Sequence, residues 1–283
     1  MVDFAVVDTH VHLWDPERIR YPWLEGNDLL NKPYLLEEYR THCDGVGVEQ
    51  MVFLQCDCDP GQFRDEVALI TELAGIDSRL KGIVAFAPLE NGEDVRGDLE
   101  FLAENSLVKG VRRLIQSEED LEFCIQPGFV RGVQMLEEFD LSFDICIYHP
   151  QLANTIRMVQ ECPNVRFILD HIGKPDIQNG LMDPWKREIE TLANLPNVLC
   201  KVSGLVTEAD HENWTPGDLR PYIDHVISSF GFDRVVFGSD WPVAFQACEY
   251  PVWVETLAEA VSSYTSDEIR NLFRNNAIAF YRL

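Results

Sequence analysis

Eight short apolar runs alternate with amphipathic stretches over 283 residues, and no glycine-rich phosphate turn follows the first run. Together these features predict an α/β fold, a (β/α)8 barrel of the TIM type, with residues 1–283 as one domain. The runs are almost continuously apolar, as strands covered on both faces require. A doubly wound sheet is the competing arrangement. It would usually open its first β–α turn with a GxGxxG pattern, whereas this chain continues into Thr9-His10-Val11-His12.

The first strand is expected over residues 4–8 (FAVVD), running on to end in His10 and His12. Residues 15–33 are rich in proline and aromatics and read as an ordered loop over one barrel end. Strands two, three and four are expected over residues 50–55, 80–87 and 108–114. Between the last two, Leu99, Leu102 and Ala103 mark one face of a short helix. Pro127 opens the next helix, with Val130, Val133, Leu136 and Phe139 inward. Strands five to eight follow over residues 142–148, 165–170, 198–202 and 234–237. Before the eighth, Leu219, Tyr222, Ile223, Val226, Ile227 and Phe230 keep the spacing of an amphipathic helix. Thr265 and Glu268 form a capping box ahead of Ile269, Leu272, Phe273 and Phe280.

Lys and Arg number 23 against 48 Asp and Glu, a net charge of −25. That balance argues against nucleic-acid or anionic-membrane partners, which need basic surface. No apolar run reaches the roughly 18 residues of a membrane span. The N-terminal stretch has no basic region, and acidic and histidine residues interrupt its apolar run, so it does not read as a signal peptide. The expected location is the cytoplasm, with the eight cysteines as reduced thiols. Cys56-Asp57-Cys58 lacks the second pair that would complete a zinc site.

The C-terminal strand ends of such a barrel carry its chemistry, and four of the seven histidines fall there: His10, His12, His149 and His171. Asp240 follows the eighth strand behind a Gly-Ser turn and is the candidate base for activating water. His171 and His149 are placed to orient that water or polarise a carbonyl. Arg112 offers a planar fork for a carboxylate or carbonyl. Lys201 stands mid-strand, either lining the pocket or paired with a structural carboxylate. Trp14, Trp23 and Trp241 are candidate flat walls of the kind that stack on sugar rings. His10, His12 and Asp240 also match the ligand set of one divalent metal, zinc by preference, with water in the open position. The residues leave open whether such a site is filled.

Several motifs carry a resemblance, in order along the chain. They are Asp8-Thr9-His10-Val11-His12-Leu13-Trp14-Asp15 with Tyr21-Pro22-Trp23-Leu24, then Lys109-Gly110-Val111-Arg112 and Asp170-His171-Ile172-Gly173-Lys174-Pro175. Cys200-Lys201-Val202-Ser203-Gly204-Leu205, Phe237-Gly238-Ser239-Asp240-Trp241-Pro242, and Asn276-Ala277 ahead of Tyr281 complete the set. The chain resembles the amidohydrolase superfamily and, within it, the sugar-acid lactonase branch that includes L-fuconolactonase and L-rhamnonolactonase-like proteins. The resemblance implies a distorted barrel that opens a five- or six-membered lactone of an aldonic acid to the hydroxy acid. It implies Asp240 as the water-activating base and Arg112 as a substrate contact, with His10, His12, His149 and His171 around the carbonyl or a single metal. Related lactonases are thought to need no metal. Lys109 at the start of the fourth strand and Arg112-Arg113 beyond it speak against a binuclear centre bridged by a carboxylated lysine.

Three rival readings stand beside this one: a metal-dependent decarboxylase of the same superfamily, a lactonase for pyrone or muconolactone substrates, and a non-catalytic binding barrel. The expected partner is a small-molecule lactone, and a homo-oligomer is compatible with the sequence.

Overall fold

A computed structural model describes residues 2–283. Eight parallel strands form one sheet in chain order. They are β1 (Val6–Val11), β2 (Val48–Leu54), β3 (Leu80–Ala85), β4 (Val108–Val111), β5 (Ser142–Ile145), β6 (Phe167–Leu169), β7 (Val198–Val202) and β8 (Val235–Phe237). Every neighbouring pair is parallel, so each connection must cross outside the barrel, and helices supply most of that path. The helices are α1 (Leu36–His42), α2 (Phe63–Ile76), α3 (Arg96–Ala103), α4 (Pro127–Met135), α5 (Leu152–Glu161), α6 (Trp185–Ala193), α7 (Pro216–Phe230), α8 (Tyr250–Ala260), α9 (Ser266–Arg270) and α10 (Asn276–Tyr281). No helix among the described residues is long and apolar enough to cross a membrane.

The barrel wall closes just beyond β8. Trp241 bridges Val11 in the parallel sense, the Asp240 N–H donates to the His10 carbonyl at 2.9 Å, and the His12 N–H donates to the Trp241 carbonyl at 2.8 Å. Asp8 braces this seam from the helix-facing side. Its carboxylate accepts the N–H groups of His10 (3.1 Å) and Ser239 (2.9 Å) and the hydroxyls of Tyr39 (3.1 Å) and Tyr250 (2.9 Å).

At the opposite end, Val7, Val52, Val84, Ile168 and Val236 form an apolar floor capped by Ala277, Phe280 and Tyr281 of α10. That plug fills this end of the barrel interior, and chemistry in barrels of this class sits at the C-terminal rim.

The expected elements recur with shifted ends. β7 matches its expected span, and all six residues of the amphipathic set on α7 are buried. Thr265 and Glu268 make the capping box, with the Thr265 N–H donating to Glu268 at 2.9 Å. The helix opened by Pro127 tightens into a 3-10 turn over Leu136–Phe139, and Phe139 is only partly buried. β1 extends beyond residue 8, so His10 lies inside the strand and His12 directly after it. β6 stops at Leu169 because the backbone turns left-handed at His171 (φ 53°) and Ile172 (φ 51°), which ends the ladder. Residues 15–33 form the expected loop, closed at its base by an antiparallel bridge between Trp14 and Tyr34.

Candidate active site

Strand geometry sends residues i and i+2 to one face, and β1 uses it to aim His10 and His12 into the barrel mouth. Their Nε2 atoms lie 3.1 Å apart. Asp240 completes the group, its Oδ1 lying 3.5 Å from both Nε2 atoms. Asp240 sits at φ 60°, and its N–H bond to β1 fixes that turn. His171 adds a third imidazole. Its Nε2 is 4.0 Å from Asp240 Oδ1, and its Nδ1 is 3.0 Å from the Ser203 hydroxyl. Gly204 lets these groups meet, since a Cβ there would lie 2.3 Å from His171 Nδ1 and 2.9 Å from Asp240 Oδ2.

The hydrogen-bond partners define the protons. His12 Nδ1 is 2.8 Å from the Leu54 carbonyl, which can only accept, so Nδ1 carries the hydrogen and Nε2 keeps a lone pair. His10 Nε2 faces the Arg112 guanidinium at 3.2 Å, which can only donate. Both Nε2 atoms are therefore unprotonated and stand beside a carboxylate oxygen, with Arg112 Nη1 also facing the His10 lone pair. Their separations match the edge of about 3.3 Å expected for a tetrahedral ion with bonds of about 2.0 Å. The buried His10, His12 and Asp240 set is thus suited to a divalent metal, and His10, Asp170 and His171 form a second such group.

Burial, then the neighbouring charges of His171, Lys201, His12 and Arg112, push His10 well below the ordinary histidine value. Burial lowers His12 too, against the pull of Asp240, and lowers His171 to about 4. Burial alone would raise Asp240, but His171, His12 and Lys174 outweigh it and hold the carboxyl below its ordinary value. The group at neutral pH is a carboxylate among neutral imidazoles.

These residues open onto a cavity of about 210 Å³, whose lining includes His12, His171, Asp240, Arg112 and Trp23. Arg112 is buried, donating from Nη1 to Asp170 (3.3 Å) and from Nη2 to the Gln55 carbonyl. Trp23 donates from its indole N–H to the Cys56 carbonyl at 2.7 Å, which fixes the ring at the rim.

Other expected site residues lie elsewhere. Lys201 does not line the cavity: it is fully buried, its Nζ 2.8 Å from Asp170 and 3.0 Å from Asp144. The lysine bridges two interior carboxylates whose positions on other strands were not paired with it by spacing alone. His149 opens a 3-10 turn and lines a neighbouring cavity with Tyr148 and Asp176, outside the His–Asp group. Trp14 packs edge-on to Trp23, ring centroids 5.4 Å apart, and Trp241 packs on Tyr34 and Tyr39. Both are buried, so Trp23 is the member of the trio that forms a wall.

The lining also includes residues that the sequence does not single out as site residues, Lys174, Asp57, Gln116, Ser117 and Thr207 among them. Lys174 lies 3.6 Å from Glu208, an ammonium that the Asp170–Pro175 motif contained without marking it.

The sequence pattern of the family described as amidohydrolase matches residues 7–283. The chain is 32% identical over 299 residues to an L-fucono-1,5-lactonase of Burkholderia multivorans, covering 98% of this chain and 96% of that one. It is 25% identical over 353 residues to an L-rhamnono-gamma-lactonase of Scheffersomyces stipitis, covering 100% of both. A crystal structure of an amidohydrolase from Burkholderia multivorans with bound zinc superposes with a TM-score of 0.89 at 28% identity, covering 99% of this chain and 100% of that one. With its His–Asp cluster at the C-terminal rim of an eight-stranded barrel, the chain belongs to the amidohydrolase family.

Proposed function

We propose that this chain is a lactonase that opens the ring of a sugar-acid lactone to the free hydroxy acid. The observation that carries the reading is the Asp240 carboxylate, held ionised at 3.5–4.0 Å from three imidazoles above a small cavity. Similarity to the L-fucono-1,5-lactonase and L-rhamnono-gamma-lactonase supports the lactone class.

Asp240 takes the proton of a water molecule as that water attacks the carbonyl carbon. The tetrahedral oxyanion gathers negative charge, and Arg112 and Lys174 supply fixed positive charge at the same cavity. The proton held by Asp240 passes to the ring oxygen as the C–O bond breaks, which restores the carboxylate. His171, kept neutral and tied to Ser203, orients the water. A zinc ion held by His10, His12 and Asp240 would lower the pKa of bound water and polarise the carbonyl.

The charge inventory supports a hydroxylated substrate over a polycarboxylate. Arg113 is engaged by Glu90 (3.1 Å) and Glu118 (2.6 Å), Arg18 by Glu72 (3.0 Å) and Arg20 by Glu25 (3.1 Å). None of these arginines lines the cavity. All eight cysteines are free thiols, which supports a reducing compartment, the cytoplasm. The whole chain, residues 1–283, acts as one domain in this reading.

The test is acid release from a panel of aldonolactones, followed with a pH indicator before and after chelation. Acid release from one stereochemical group is expected, and silence across the panel would refute the lactonase. Activity lost on chelation and restored by zinc assigns the ion to turnover. Activity retained assigns water activation to Asp240 alone.

A further inference from the structure

Resting on the lactonase reading, one cavity residue has a chemistry that the reaction itself does not use. The other acidic and basic side chains on the lining are taken up by ion pairs or by the His–Asp group. Arg112 lies 3.3 Å from Asp170, Lys174 lies 3.6 Å from Glu208, and Asp240 stands among the histidines. Asp57 lines the same cavity, and among the described residues its carboxylate makes no hydrogen bond and no ion pair.

Asp57 is exposed at the rim and holds φ 54°, a left-handed conformation that Asp adopts more readily than most residues. Its N–H donates to the Gln55 side chain at 2.5 Å, and Gln55 also gives its carbonyl to Arg112. The Trp23 indole is anchored on the carbonyl of Cys56, the residue directly before Asp57. A free carboxylate and a fixed aromatic ring therefore share one lip of the cavity. A carboxylate offers two oxygens and only accepts, so its complement is a pair of hydroxyl donors. It repels a second carboxylate.

We propose that Asp57 is the specificity-determining residue of this site, accepting hydrogen bonds from ring hydroxyls of the lactone while Trp23 covers the adjacent C–H face. The substrate class is then a neutral polyhydroxylated lactone. Lactones bearing free carboxylates are excluded by the same group.

The experiment crosses enzyme and substrate changes. Wild type and Asp57→Asn are compared by kcat/KM on an aldonolactone turned over by wild type and on its mono-deoxy analogues. Asparagine tolerates the left-handed backbone, so the turn is kept, and a thermal melt checks the fold. In wild type, removal of the hydroxyl read by Asp57 should cost about tenfold or more, the scale of a charge-assisted hydrogen bond. In Asp57→Asn that same deoxygenation should cost less than about threefold, because the partner is already weakened. Asp57→Gly, which keeps the turn and removes the acceptor altogether, should abolish the difference. Turnover in which every deoxygenation costs the same in all three forms would overturn this role of Asp57 and leave the lactonase standing. Absence of turnover on every aldonolactone would overturn the lactonase, and this inference with it.

Discussion

Gly204→Ala tests whether the close approach of His171 and Asp240 is what makes the site work. Gly204 follows β7 at φ 62°, and an added Cβ would lie 2.3 Å from His171 Nδ1, 3.0 Å from His171 Cε1 and 2.9 Å from Asp240 Oδ2. Ordinary van der Waals contact begins near 3.4 Å, so the imidazole must withdraw by about 1 Å. That shift breaks its 3.0 Å bond to Ser203 and moves it off Asp240. A misplacement of about 1 Å at a reacting centre costs on the order of a hundredfold in rate. The left-handed backbone adds about 1–2 kcal/mol of instability. Gly45→Ala is the control, because Gly45 has φ 78° with nothing within 4 Å of the added atom, so it carries backbone strain alone. Steady-state kinetics on a lactone from the panel, with melting curves, should show kcat down about a hundredfold in Gly204→Ala and unchanged in Gly45→Ala. A Gly204→Ala enzyme within threefold of wild-type kcat would refute the reasoning, since the His171–Asp240 geometry would then be dispensable.

Two further changes probe the proton chemistry. Asp240→Asn keeps the shape and removes the base, so kcat should fall by about 10²–10⁴-fold with a cooperative melt, and near-wild-type turnover would remove Asp240 from the role. Glu66 is buried beneath Cys56, accepting that residue's N–H at 3.1 Å, and burial raises its carboxyl to about 8. From about pH 4.5 to about 8 the folded state then holds a proton that the unfolded state has released, so stability falls as pH rises through that window. Glu66→Gln keeps the acceptor without the charge, so its melting temperature should gain on wild type by a few degrees from pH 5 to pH 8; a pH-independent difference would contradict this.

Much of the scaffold was legible because burial on both faces writes itself as apolar runs. Val198–Val202 is such a run, and β7 occupies those residues. The His–Asp cluster was legible too, since the HxH spacing and the Asp after the last strand need only a strand and a barrel to converge. What spacing could not supply was partnership across strands. Lys201 looks the same in sequence whether it faces substrate or, as here, Asp144 and Asp170. Trp14 and Trp23 differ only in where the intervening loop turns them, so one became packing and the other a wall. His149 stands apart from the cluster for a backbone reason: β5 ends at Ile145, and residue 149 opens a 3-10 turn beside a neighbouring cavity. Asp57 shows in sequence only as the middle of Cys56-Asp57-Cys58, because an unpaired carboxylate is recognised only once its surroundings are known.

The seam that closes the barrel has a consequence for how this protein can change. His10, His12 and Asp240 are both the last stitches of the wall and the candidate reactive groups, so on the proposed mechanism wall closure and reactivity stand or fall together. Local fraying there would silence the enzyme before the rest of the barrel opened, and the amide protons of His12 and Asp240 would register it in hydrogen exchange. Trp23 and Asp57 lie outside the seam, on the connections after β1 and β2. On the proposed roles, mutation of these two positions redraws which molecules are admitted while the His–Asp cluster is inherited intact.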